Sequence, residues 1–241
     1  MQSRMENSYL SDYISLIFDT FMELRGDRKS GDDHFVIGGL ALLGEYKVVV
    51  IGYRGDAALE PPGVPGPAGY RKCSRLLHLA ETFGKPVIVF INIPASALLP
   101  APEQQQIDEA AARSLEEMSC LKTPVIGVVM GKSITSAAID LCAVDRALML
   151  EDASYEDAAN DTDVKPLYIN AQDLLVLKVV HRTVKGSPVG ELESTASALK
   201  EAISEELHQL SQIHLESLVQ QRLERLQRQF VNFSAHPKTV G

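Results

Sequence analysis

The sequence predicts an α/β fold, a parallel sheet covered by helices, and three observations predict it. Three successive units each pair a helical pattern with a short run rich in β-branched residues; these runs are apolar on both faces; and each is entered through a brief polar connection. Strands that bury both faces and alternate with helices belong to parallel sheets. The units are Tyr70–Phe83 leading through Gly84-Lys85-Pro86 into Val87–Ile91, Glu103–Leu121 leading through Lys122-Thr123-Pro124 into Val125–Met130, and Ile134–Val144 leading through Asp145-Arg146 into Ala147–Leu150.

The segments before them open the fold. Tyr9, Tyr13, Ile14, Ile17, Phe18 and Phe21 recur at helical spacing, which predicts an amphipathic first helix. A polar break from Arg25 to Asp33 then separates it from two β-type runs, Phe35–Leu43 and Tyr46–Tyr53, hinged by Gly44-Glu45. Between Gly55 and Gly69 stand four prolines, which exclude a central strand and predict a surface loop.

After Glu151 the periodicity weakens. Asp152–Asp163 is acidic and rich in small residues, the composition of an exposed or mobile segment. A short helix over Ala171–Val180 and a turn at Lys185-Gly186-Ser187-Pro188 follow. From Glu191 to Phe230 one long helical pattern carries an apolar stripe through Leu199, Ile203, Leu207, Leu210, Leu218 and Leu226. At 1.5 Å per residue it would reach about 60 Å unbroken, beyond the edge of one small domain. Three arrangements are open to it: packing on another subunit, folding back as a hairpin, or a helix packed on its own domain. The chain thus divides into 1–34, a helix and connection; 35–182, the core; and 183–241, a helical region suited to oligomerisation.

Composition narrows the function. The 241 residues carry a net charge of −9 and a pI near 5.2, which disfavours nucleic acid and anionic membrane as partners. There is no Trp to stack bases. Cys73, Cys120 and Cys142 lie far apart in an odd count, which supports neither a disulfide framework nor a metal site and fits a reducing compartment. The N-terminus lacks a secretion-signal layout and no apolar run is long enough to span a membrane, so a soluble, cytoplasmic chain is expected.

Two turns carry the candidate chemistry. Gly131-Lys132-Ser133 follows a strand as a Walker A lysine would, but the glycine required five residues before Gly131 is Ile126, so no phosphate loop can form. Ser133 or Ser136 could serve as a hydrolase nucleophile, yet the six histidines stand in no recognisable relation to either. A strand-to-helix turn at Gly131–Ile134 beside a second at Ile93-Pro94-Ala95-Ser96 would instead present main-chain N–H groups able to stabilise negative charge on a thioester or ureido oxygen. Two ordinary connections would look the same in sequence.

Several blocks in unbroken order carry a resemblance. Arg25-Gly26-Asp27-Arg28 with Asp32-Asp33, Ile37-Gly38-Gly39-Leu40, Gly69-Tyr70-Arg71-Lys72, Glu81–Ile88, Glu109–Met118 and Pro124–Gly131 resemble the alpha subunit of the acetyl-coenzyme A carboxylase carboxyltransferase, a crotonase/ClpP-superfamily member. The resemblance implies a crotonase-like spiral of β-β-α units with a long helical C-terminal region. It implies carboxyl transfer from biotin on a carrier protein to acetyl-CoA, giving malonyl-CoA for fatty acid synthesis. It also implies a beta-type partner that holds zinc and most of the CoA contact, while the alpha half serves carboxybiotin.

The chain departs from the family at its glycine-rich turns. Ser133 and Ile134 replace one glycine pair and Ser136 and Ala137 the next, while Ile93–Leu99 replaces the family's T-P-G-A-Y-P-G. A flat ligand close to the main chain tolerates such side chains poorly, and any left-handed position would be strained at Ile134. Leu59–Pro65 replaces a basic stretch, and Ser154–Ala158 puts acid where the family has a neutral turn. The implied half-site residues are therefore degenerate: Gly131, Ser133 and Ile134 through their N–H groups facing Ala95 or Ser96, with Lys132, Ser136 and Ala137 lining the cofactor side. The expectation is a divergent alpha-type subunit that binds no cofactor of its own, contributes little chemistry and assembles with a beta-type subunit, a complete alpha paralogue or the biotin carboxyl carrier protein. The alternatives are an active alpha subunit and a stand-alone hydrolase of this superfamily.

Overall fold

The computed structural model describes residues 10–54, 65–92, 101–134, 143–156, 168–186 and 192–235. The first helix, α1 (Leu10–Ile17), buries Leu10, Tyr13, Ile14 and Ile17. It stops sooner than its pattern predicts, because Phe21 belongs to an edge strand, β1 (Thr20–Glu23), paired antiparallel to β2 (Val36–Leu43). An aromatic spaced for a helix is equally placed for a strand when its neighbours Thr20 and Met22 are good strand formers. The hairpin β2–β3 (Tyr46–Tyr53) turns at Gly44, whose φ of 59° a glycine adopts without steric cost.

From β3 the sheet turns parallel. β4 (Val87–Ile91), β5 (Val125–Val129), β7 (Arg146–Leu150) and β10 (Arg182–Val184) follow in register, so the seven-stranded order is β1-β2-β3-β4-β5-β7-β10. β4 and β5 are buried throughout, as strands covered on both faces must be. The prolines that end the first two helical units also join the ladder: Pro86 O accepts Val49 N–H at 2.9 Å and Pro124 O accepts Val87 N–H at 2.8 Å. A proline lacks a donor but keeps its acceptor, so it can stand at a strand's entrance.

Helices cover both faces. Gly38 in β2 faces α2 (Pro67–Phe83), where an added Cβ would lie 2.4 Å from Leu76 Cδ1; Gly52, paired with Ile37 in the other half of the pleat, meets Leu10 of α1 at the same distance. α3 (Ala101–Ser119) packs against α2. Gly39 is required by closeness, since a Cβ there would sit 2.0 Å from Met22 O of β1. The Ile37-Gly38-Gly39-Leu40 block is thus a packing motif.

A second, three-stranded sheet, β6-β8-β9, is built from β6 (Lys132–Ile134), β8 (Ser154–Glu156) and β9 (Tyr168–Asn170). It corrects two expectations. Gly131–Ile134 leads into a strand rather than directly into a helix, and Asp152–Asp163 begins with a buried strand in which Ser154 and Tyr155 are 1% exposed. Tyr155 has the β propensity and the apolar surface to be drawn inward despite its acidic neighbours.

The helix after β9, α4 (Ala171–Val176), is capped by a reciprocal Asn170–Asp173 box. The long C-terminal pattern is broken at Gln212–His214 into α5 (Leu192–Ser211) and α6 (Leu215–Ala235). Tight bonds from Gln212 N to Gln209 O and Ile213 N to Leu210 O close α5. α5 packs on α1, β5 and β10, and α6 reaches α3 and the core, so the apolar stripe is used within the chain itself.

Candidate functional site

In a parallel sheet, ligands bind beyond the carboxyl ends of the strands. Here β4 and β5 are neighbours, and their carboxyl ends bring Asn92 and Gly131 together. Met130 N–H donates to Ile91 O at 3.1 Å, and a Cβ added to Gly131 would lie 2.9 Å from Asn92 Oδ1. The described start of one connection, Asn92, therefore adjoins the start of the other, Gly131; Ile93 and Pro94 lie outside the described residues. Ala95, Ser96, Ser136 and Ala137 lie outside the described residues.

The second turn differs from the expected helix start. Gly131 O accepts Ser154 N–H at 3.3 Å, and Lys132, Ser133 and Ile134 pair with Ser154, Tyr155 and Glu156 of β8. Ser133 is fully buried, so its hydroxyl is not presented as a nucleophile. Ile134 lies in an extended strand, which removes the expected left-handed strain. Lys132–Ile134 thus form an edge strand of the small sheet, with β8 as the one neighbour among the described residues. Ser154 Oγ is buried with no hydrogen-bond partner among the described residues.

The family-like blocks have another role. Asp27 accepts the N–H groups of Gly31, Ser30 and Lys29 at 2.8–2.9 Å, which hold its carboxyl well below the usual carboxylate range, and Arg71 Nη2 meets it at 2.7 Å. Lys72, fully buried, donates to Asp32 Oδ1 at 2.9 Å and Val36 O at 2.8 Å. Arg75 binds the carbonyls of Leu24 and Gly26. Asp33 Oδ2 accepts Gly66 N–H at 2.8 Å and Gly69 N–H at 3.2 Å, capping α2 at its positive end. A Cβ at Gly69 would come within 2.8 Å of that carboxylate, so glycine is needed there. Together these contacts dock the Arg25–Asp33 loop onto α2.

Sequence reasoning missed two features. At the carboxyl end of β7, burial raises the Asp152 carboxyl, with the charge of Glu151 adding to it, and burial then Asp152 raise the Tyr13 phenol. The signal available was Glu151-Asp152 directly after an apolar strand, read instead as the start of a solvated segment. At the opposite end of the sheet, the buried Arg222 of α6 binds Asp145 through Nε at 2.9 Å and Nη2 at 2.6 Å, and caps the carbonyls of Met118, Leu121 and Thr123. One arginine in a charged helix gives no sequence signal that it points inward. Among the described residues no group of three His, Cys, Asp or Glu side chains could hold a metal ion, and no helix is long and apolar enough to cross a membrane.

Comparison with known proteins gives this geometry its family. Residues 2–229 match the family model described as acetyl co-enzyme A carboxylase carboxyltransferase-like. The acetyl-coenzyme A carboxylase carboxyl transferase subunit alpha of Streptococcus equi subsp. equi is 36% identical over 238 residues, covering 90% of this chain and 92% of that protein. Its counterpart from Geobacter sulfurreducens is 35% identical, covering 93% and 77%. Among solved structures, a Pseudomonas malonate decarboxylase hetero-tetramer in complex with coenzyme A is similar at a TM-score of 0.63 and 15% identity, over 90% of this chain and 97% of that one. The enoyl-CoA hydratase of Bacillus halodurans is similar at 0.57 and 9%, over 82% and 91%, and these two likenesses concern the fold alone. With its parallel sheet and its helical cover, the fold is crotonase-like, and the chain belongs to the acetyl-coenzyme A carboxylase carboxyltransferase alpha-subunit family.

Proposed function

We propose that the chain acts as a divergent alpha-type subunit of an acetyl-CoA carboxylase carboxyltransferase complex, with a structural or regulatory role and an eroded carboxybiotin half-site. The single observation that supports this reading is the pairing of Lys132–Ile134 with β8, in a segment where Ser133 is buried. An anion-stabilising turn needs outward N–H groups and room for the ligand to approach. On this reading the described part of the turn offers carboxybiotin a poorer cradle than an open turn would. The blocks kept from the family, by contrast, serve the docking of the Arg25–Asp33 loop, the glycine-mediated packing of β2 and the capping of α2.

On this reading a beta-type subunit is the partner, with the biotin carboxyl carrier protein and a complete alpha paralogue as further members of the assembly, and the complex works in the cytoplasm. The test is carboxyl transfer from malonyl-CoA to free biotin by this chain purified with its beta-type subunit and no other alpha subunit. The expected result is a stable complex without turnover. Turnover that disappears when this chain is omitted would overturn the reading in favour of an active alpha subunit. Thioester hydrolysis by the chain alone, lost in Ser133→Ala, would overturn it in favour of a hydrolase.

A further inference from the structure

We propose that the amino end of the sheet carries a second ligand site, a groove between β1, β2 and the last turn of α2 that binds an amphiphilic anion, an acyl chain ending in a carboxylate. The strand register builds it. Thr20 and Met22 of β1 stand opposite Leu42 and Leu40 of β2, and these stand opposite Lys47 and Val49 of β3, so all six side chains share one face of the sheet. It is the face that α2 covers, because Gly38, two residues before Leu40, meets Leu76 there. α2 packs on β2 and β3, and at the margin of its cover Met22 is 57% and Phe83 64% exposed. They stand on the two rims of an apolar groove of about 440 Å³, a volume that suits a small molecule.

Two lysines give the groove its charge. Val49 pairs with Val87, and Val49 N–H bonds to Pro86 O at 2.9 Å. Carried back two residues, this register brings Lys47 and Lys85 side by side, about one strand spacing of 4.8 Å apart along the sheet. Both line the groove, and neither ammonium has a hydrogen bond or an ion pair. No carboxylate stands among the groove's described lining residues, although the chain as a whole carries a net charge of −9. Like charges opposite one another in a sheet cost stability. A carboxylate between the two ammonium groups replaces that repulsion with charge-assisted hydrogen bonds, while its hydrocarbon chain takes Met22, Leu40 and Leu42 out of water. The apolar floor alone would accept any hydrophobe and the lysine pair any small anion; together they select a molecule that is both.

The groove is separate from the candidate turns. Lys47 opens β3 and Lys85 precedes β4, whereas Asn92 and Gly131 follow the carboxyl ends of β4 and β5. The length of β4, about 16 Å, lies between the two ends. The proposal therefore does not depend on the carboxyltransferase reading.

The experiment is calorimetric titration of the full-length chain with sodium decanoate, kept below its micelle-forming concentration at constant ionic strength, with thermal unfolding read in parallel. Saturable binding and a rise in Tm are expected. Acetate, which lacks the chain, and decyltrimethylammonium, which carries the opposite charge, should each bind about tenfold or more weakly. Lys47→Gln with Lys85→Gln keeps most of both aliphatic stems and should weaken decanoate about tenfold or more, removing the rise in Tm. No saturable response, equal binding of decyltrimethylammonium, or equal affinity of the double variant would overturn the proposal. So would a parent chain that sediments as a dimer and becomes monomeric in Met22→Asp, because a second copy would then fill the groove. Flotation with phosphatidylglycerol vesicles separates a free amphiphile from a lipid surface: binding to vesicles with no response to decanoate would also overturn it.

Discussion

Arg222→Met tests how the C-terminal helices are joined to the core. The Arg222 side chain is 0% exposed and that of Asp145 3%, and the guanidinium serves the carboxylate at two atoms and four main-chain carbonyls besides. Methionine keeps most of the aliphatic packing, so the loss is electrostatic. Removing one partner of a buried pair costs about 3–5 kcal/mol, against a total stability of about 5–15 kcal/mol for a domain. We expect a loss of about 4 kcal/mol in urea unfolding followed by circular dichroism, with an unchanged m-value. Asp145→Asn preserves an acceptor for Val125 N–H, bonded at 2.7 Å, and the double variant should recover about 2 kcal/mol of the summed losses. Burial already pushes the Asp145 carboxyl up. Without Arg222 it rises further, the folded state then takes up a proton that the unfolded state does not, and the deficit of Arg222→Met shrinks as the pH falls toward about 5. A loss below about 1 kcal/mol with no coupling in the cycle would refute the clamp.

Three further substitutions or titrations probe separate links. Gly39→Ala places a methyl 2.0 Å from a main-chain oxygen that cannot move without its strand, so a loss of about 1–3 kcal/mol is expected, with hydrogen-exchange protection lost first in β1; retained protection would contradict the close approach. His181, with a pKa lowered to about 3 by burial, Arg225 and Arg146, should stay neutral from pH 8 down to about 5. Since the unfolded ring protonates near pH 6.5, the stability it lends is complete above that value and is lost as the pH falls toward 3; an NMR midpoint near 6.5 would show that its open edge screens the arginines. Lys178→Gly relieves a left-handed side chain and should raise stability by about 0.5–1 kcal/mol in thermal unfolding, whereas a loss would mean that the lysine stem makes contacts worth more than the strain.

The elements most legible in the sequence were those whose local signal and tertiary use agree. β4 and β5 are apolar on both faces and entered through proline, and both lie in the parallel sheet within a residue of their predicted bounds. The strands that precede the two candidate turns are neighbours in the sheet, and Asn92 against Gly131 is the contact that follows. What was not legible depends on partners distant in sequence. β6 and β8 are three residues each, too short to carry a period, and exist because they pair with one another. The break at Gln212–His214 has no glycine or proline to announce it. Phe21 fits a helical stripe and an edge strand equally, and only its pairing opposite Ala41 of β2 decides.

The Arg222–Asp145 contact also changes what a truncation can reveal about assembly. Removing everything after Gly190 would test whether the C-terminal helices bind a partner only if the rest of the chain kept its fold. It would instead strand the Asp145 carboxylate at the entrance to β7 and expose the surface of β10 and α1 that α5 covers. Loss of a partner would then follow from unfolding as readily as from a lost interface. Charged substitutions on outward positions of α6 avoid this, because Leu215, 49% exposed, and Leu223, 36% exposed, contribute little to the core. Leu215→Glu with Leu223→Glu should leave urea stability within about 0.5 kcal/mol of the parent while abolishing co-purification with the beta-type subunit if α6 is the interface. Retained co-purification would move the interface off this helix, to a face such as the one where Met22 and Phe83 stand exposed beside Leu40 and Leu79.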